Sequence, residues 1–192
     1  LLKEEEKKYE NFSKSIRRRA AIIGGHNMDD YPLKMHVFNR ARLIKNSKNR
    51  IPYGVDLIQK YKRESWIVFT ENKKQAKEFN KIINTKGFKS ALYNTDLDSA
   101  ERLENLNKFK KADLNVLVTC TALDEGFDMP EADGALILSA SSSKRQRVQR
   151  MGRVLRITEN KPNALIVTVY SSKTEFDKLM EEAKRYHKEG VP

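Results

Sequence analysis

The sequence predicts an α/β protein: a parallel sheet with helices on both faces, preceded by an N-terminal helical appendage. Three observations predict it. From Trp66 onward, short runs of strand formers alternate with amphipathic helical stretches, and that alternation builds βαβ units around a parallel sheet. The runs are apolar throughout, as strands buried on both faces are. Residues 1–60 show helical spacing and no strand run.

Taken in order, Tyr9, Phe12 and Ile16 recur at helical spacing and predict a helix over 2–19. Gly24-Gly25 and Asp29-Asp30-Tyr31-Pro32 break it. Met35, Val37, Phe38, Ala41 and Ile44 predict a second helix over 33–45, and a third, short helix covers 55–61. Trp66-Ile67-Val68-Phe69 is the first strand. Ala76, Phe79 and Ile82-Ile83 line a helix over 73–85, with Gly87 as its stop. A strand at 91–93, a helix over 98–110 and strands at 115–120 and 135–138 follow. A basic helix over 143–151, a strand over 164–170 and a helix over 174–187 complete the chain. The expected division is 1–60, a helical linker or appendage, and 61–192, the α/β domain.

Hydrophobic residues make up 39% of the 192, enough to build a core. No apolar run approaches the ~18–20 residues of a membrane span. Leu1 to Glu10 is charged and lacks a signal peptide's apolar stretch. A start at Leu1 rather than Met reads as a piece of a longer protein. Cys120 is the one cysteine, so no internal disulfide forms, which suits a cytoplasmic protein. His26, His36 and His187 show no metal-ligand spacing. The net charge of +12 points to a polyanion partner, although a Lys- and Asn-rich composition produces the same excess.

Two stretches carry chemistry. Residues 144–156 hold six basic side chains and no acid. Arg150, Arg153 and Arg156 recur every three residues across Gly152. Such a series can converge on one phosphate, which Arg binds with a planar fork. A solvated basic helix face has the same composition. The second stretch, Thr119 to Pro130, follows a buried strand with hydroxyls, Gly126 and the acids Asp124, Glu125 and Asp128. In open α/β sheets, ligands bind outside the strands' carboxyl ends. An ordinary loop closed by Gly126 and Pro130 is the plainer alternative.

Together these stretches resemble the C-terminal RecA-like domain of superfamily 2 helicases. Gln149-Arg150-Met151-Gly152-Arg153-Val154-Leu155-Arg156 is similar to helicase motif VI. Asp124-Glu125-Gly126-Phe127-Asp128-Met129-Pro130 is similar to motif V, and Glu131-Ala132-Asp133 continues the likeness. Ile67-Val68-Phe69-Thr70-Glu71-Asn72 looks like motif IV. The likeness spans about residues 64–170 in the family's order. The form of motif VI looks closer to the DNA-repair and restriction-enzyme DEAD/DEAH groups (XPB, type I and III restriction) than to RNA-specific DEAD-box proteins.

The resemblance implies roles. Arg153 and Arg156 would be arginine fingers reaching the γ-phosphate of ATP held by an N-terminal RecA-like motor domain of the same chain. Gln149 would sense nucleotide and Arg150 would bridge the domains. Gly126 and Asp128 would approach the nucleotide, Asp128 near the ribose. Thr119, Thr121 and Thr70 would meet nucleic acid, more DNA than RNA. ATP and Mg2+ would be bound mainly by that other domain. Cys120 departs from the family's Ser or Thr, which moves the hydroxyl contact to Thr119 or Thr121. Tyr93-Asn94 stands where many relatives have His-Gly.

The sequence has no G-x-x-x-x-G-K-[ST] loop to cradle phosphates, and Asp124-Glu125, which sits in the motif V likeness, is not the D-E-x-x motif that holds magnesium. The expectation is a half-motor that does not hydrolyse ATP alone. Three alternatives remain at this stage: an RNA helicase domain, an ATP-independent nucleic-acid-binding module, and a degenerate structural domain.

Overall fold

In the computed structural model, residues 1–120, 131–139 and 165–188 are described. Alternate residues of each central strand face opposite sides of the sheet, and both sides are apolar. Trp66–Thr70 (β1), Val116–Cys120 (β3) and Gly134–Ile137 (β4) are buried at every position. Ser90–Tyr93 (β2) and Leu165–Thr168 (β5) are half-buried, as edge strands are. The five strands pair in the order β2-β3-β1-β4-β5, all in parallel.

One face carries Trp66, Val68, Val116, Val118, Cys120, Leu136 and Leu138. Ile51, Val55, Leu57 and Ile58 of helix α3 (Arg50–Tyr61) cover it, with Ala76, Phe79 and Ile83 of helix α4 (Lys73–Thr85). The other face carries Ile67, Phe69, Leu117, Ala135 and Ile137, covered by Leu106 and Phe109 of helix α5 (Ser99–Lys110). This is the expected parallel sheet with helices on both sides.

Helix starts follow local chemistry. Asn72 caps α4 by accepting from the Gln75 N–H at 2.9 Å, and Gln75 reaches back to the Glu71 N–H at 2.9 Å. Asp98 caps α5 by accepting from the Glu101 N–H at 2.7 Å. Each cap satisfies a donor that the first helical turn leaves unpaired.

The chain forms two compact units, Arg50–Val169 and Leu1–Asn49 with Tyr170–Pro192. The second holds helix α1 (Lys3–Ile22), helix α2 (Tyr31–Lys45) and helix α6 (Lys173–Lys188). Within it, α1 and α2 pack as a pair. Asp30 caps α2 through the Leu33 N–H at 2.9 Å and takes the Arg19 guanidinium in a two-pronged ion pair, closing to 2.6 Å. Burial pushes the Glu5 carboxyl up, but donors from the Leu2 and Lys48 N–H groups and the Ser47 hydroxyl bring it below its ordinary value. Among the described residues no helix is long and apolar enough to cross a membrane.

The sequence placed α3 with the front segment and began it at residue 55. Its apolar side belongs instead to the sheet core, and it begins at Arg50. Pro52 sits in its first turn, where a missing N–H costs nothing. Gly54 is a close-approach site: a Cβ there would stand 2.6 Å from Leu138 Cδ1.

Gly134 is tighter still. A Cβ there would lie 2.5 to 2.7 Å from three atoms of the Trp66 indole. We expect Gly134→Ala to destabilise by about 1–3 kcal/mol in chemical denaturation, the usual cost of overpacking. Gly54→Ala should cost less, because Leu138 can swing aside and alanine favours the helix by about 1 kcal/mol. Equal stability of the Gly134→Ala variant and wild type would show that the indole does not set the β1–β4 spacing.

Candidate functional site

Parallel pairing brings every strand's carboxyl end to one edge of the sheet. Level with one another there stand Thr70 of β1 and Cys120 of β3, with Phe69 beside Thr119 and Ile137. Just beyond the strands lie Glu71-Asn72, Asn94 and Ser139. Thr70, Asn94, Thr119 and Ser139 are polar yet buried, an unusual concentration for a core so apolar.

Their hydrogen bonds show what the edge is built for. Thr70 Oγ1 donates to the Thr119 carbonyl at 3.0 Å and contacts the Asn72 carbonyl at 3.2 Å. It thereby ties the loop after β1 to the end of β3. Thr119 Oγ1 donates to the Cys120 carbonyl at 3.2 Å. Both hydroxyls, expected to meet nucleic acid, turn inward to main chain. Asn94 Oδ1 accepts from the Asp96 N–H at 2.9 Å, whereas its buried Nδ2 has no hydrogen-bond partner among the described residues. Asp96 in turn pairs with Lys73 and with Lys77, the latter at 2.8 Å. Hydrogen bonds from those two ammonium groups hold the Asp96 carboxyl below its ordinary value. Burial pushes the Tyr93 phenol up.

Cys120 is a free, buried thiol within the apolar cluster under α3 and α4. Asp133, which continues the motif V likeness in sequence, lies at the opposite edge. There its Oδ2 accepts from the Ser65 hydroxyl at 2.8 Å and the Ser65 N–H at 3.1 Å, joining the amino ends of β1 and β4.

Of the residues singled out from sequence, Thr70 and Thr119 come together at the carboxyl edge. Thr121, Gly126, Asp128, Gln149, Arg150, Arg153 and Arg156 lie outside the described residues. The stretch bearing Gly126 and Asp128 follows β3 directly in sequence, and the stretch bearing the arginines runs between β4 and β5. Among the described residues no group of three His, Cys, Asp or Glu side chains could hold a metal ion.

Sequence reasoning missed Arg50. Its guanidinium is buried, and Nη1 donates to the Leu138 carbonyl at 2.7 Å and the Val169 carbonyl at 2.6 Å. It also missed Asn94 and Ser139. The only signal for Asn94 was its departure from the His-Gly of the resemblance.

The buried thiol yields a test. Cys120→Ser should leave nucleic-acid affinity within about twofold, since a buried thiol behaves as a small hydrophobe. A thiol reagent should label the folded chain slowly. Rapid labelling blocked by DNA would instead put Cys120 on the nucleic-acid path.

The family model described as helicase conserved C-terminal domain matches residues 49–158. The DNA 3'-5' translocase XPB2 of Sulfurisphaera tokodaii is 30% identical over 190 residues, covering 91% of this chain and 42% of that protein. The ATP-dependent rRNA helicase RRP3 of Scheffersomyces stipitis is 26% identical, over 62% of this chain and 24% of its own. The chain spans less than half the length of either relative. Among solved structures, the C-terminal domain of the DEAD-box protein Dbp5 superposes with a TM-score of 0.64 at 21% identity, over 74% of this chain and 81% of that one.

Proposed function

The chain belongs to the helicase conserved C-terminal domain family, as a superfamily 2 helicase domain with the RecA-like fold, and from that premise we propose that it is the arginine-finger half of an ATP-driven DNA motor. The observation that carries the proposal is the arrangement of the sheet edge. The two motif stretches adjoin strands β3 and β4, whose carboxyl ends lie on one edge, where ligands of open α/β sheets bind.

In this reading Arg153 and Arg156 reach the γ-phosphate of ATP bound by an N-terminal RecA-like domain. They stabilise charge that builds on the transferred phosphoryl group. Gln149, Arg150, Gly126 and Asp128 contact the nucleotide from this side. Magnesium is held by carboxylates of the other domain. Thr121 meets the nucleic-acid backbone, while Thr70 and Thr119 hold the edge that presents it. The likeness to a DNA translocase over nearly the whole chain favours DNA. The RNA helicase among the relatives keeps RNA as the second reading. A cytoplasmic location is part of the proposal, and its one support is that a single cysteine suits a reducing compartment.

The test is turnover. The isolated chain should show no ATPase activity above background, with or without DNA. In the full-length protein, Arg153→Ala or Arg156→Ala should cut turnover strongly. Arg fingers are worth roughly 10³–10⁵ in rate when one residue acts, and the effect of either alone should be smaller where two act as a pair. Near wild-type turnover in both variants would reduce the motif to a basic surface.

Binding tests the partner. The chain should bind DNA weakly and without sequence preference, with affinity falling steeply as salt rises, because contacts to phosphates release counterions. Tighter binding to RNA of the same length at equal salt would select the second reading. Binding indifferent to salt would argue against a backbone-tracking motor.

A further inference from the structure

Arg50 is a cation with 1% of its surface exposed, and Nη1 of its guanidinium donates to two main-chain carbonyls. Burying a guanidinium is costly, and an apolar side chain would fill the same volume at lower cost. What an apolar residue could not do is donate to the Leu138 and Val169 carbonyls. These two groups lie just past the ends of β4 and β5, on neighbouring strands. The ladder has already used the N–H groups of the same residues, which donate to Phe69 and Ile137. Only a donor from outside the sheet can draw the two carbonyls together, and charge-assisted bonds are the strong ones.

The position of this clamp in sequence is informative. Residues 140–164, which hold Gln149, Arg150, Arg153 and Arg156, begin two residues after Leu138 and end where β5 starts. Among the described residues the buried hydroxyl of neighbouring Ser139 has no hydrogen-bond partner, so it adds no anchor there. We propose that Arg50 is a positioning residue for the arginine-finger segment: by clamping the carboxyl ends of β4 and β5, it fixes the point from which that segment leaves the sheet. The inference rests on the reading of Arg153 and Arg156 as fingers. Catalytic groups tolerate little misplacement, about 1 Å costing on the order of a hundredfold in rate, so an anchor at the segment's root affects turnover without touching nucleotide.

The full-length protein carrying Arg50→Met or Arg50→Lys tests this. Methionine has similar reach and no donor; lysine keeps the charge but loses the planar fork. Arg50→Met should lower kcat for nucleic-acid-stimulated ATP turnover at least about tenfold, with KM for ATP within about threefold. Arg50→Lys should recover part of the loss. Amide hydrogen exchange should quicken over residues 139–164 in both variants, with β1 to β3 unchanged. A purely structural role would lower the melting temperature yet leave kcat per folded molecule and exchange over 139–164 at wild-type values. That result overturns the proposal. If Arg50→Met does not fold, the same two readings on Arg50→Lys decide the matter. Arg153→Ala serves as the reference. If it keeps full turnover the finger reading fails, and exchange over 139–164 still shows whether Arg50 anchors that segment.

Discussion

The indole of Trp66 occupies the space a side chain at position 134 would need, and the rest of the sheet depends on that contact. β1 is the central strand, paired with β3 on one side and β4 on the other. A slip of one residue in either pairing would turn its apolar side chains to the wrong face. With both faces buried the pattern of apolar residues alone penalises a slip weakly, because every position in β1, β3 and β4 is apolar or small. Steric fit supplies the discrimination. Only the register that sets Trp66 beside Gly134 gives the ring room. Once it is set, Phe69 is level with Ile137, and the β1–β3 pairing adds Cys120 level with Thr70 at the same edge.

That edge differs in kind from the core behind it. Within the strands, main-chain groups are satisfied by the ladder, and side chains need only fill space. Past the strand ends the ladder stops while burial continues, so carbonyls need side-chain donors. Thr70 serves the Thr119 carbonyl, and Arg50 serves those of Leu138 and Val169. Both donors act at points where a motif-bearing stretch leaves the sheet.

Local agreement of signals decided what could be read from sequence. Helix α4 was legible from end to end because the inward Ala76, Phe79 and Ile83 and the stop at Gly87 mark one span. Asp29 to Pro32 marked the break between α1 and α2, but not that Pro32 sits in the first turn of α2, and no local signal showed that Gly54 lets α3 approach Leu138. Arg50 was illegible because its partners lie 88 and 119 residues away, and nothing beside it distinguishes it from the other basic residues of residues 1–60. The hydroxyls of Thr70 and Thr119 were visible in sequence, but their inward direction was not. The family resemblance, by contrast, rested on residue types in a fixed order, and that order is what the family match at 49–158 reflects.

A half-site of the proposed design would have a physical consequence. If the phosphate-binding loop and the fingers sit on different domains, neither can complete the transition state alone, and hydrolysis waits on closure. Closure must then place two guanidinium groups to within a fraction of an ångström from a segment rooted at the sheet edge. Starting that segment from a clamped strand end of a buried sheet serves such accuracy. It also accounts for a costly buried cation at Arg50, where core packing alone would favour an apolar side chain.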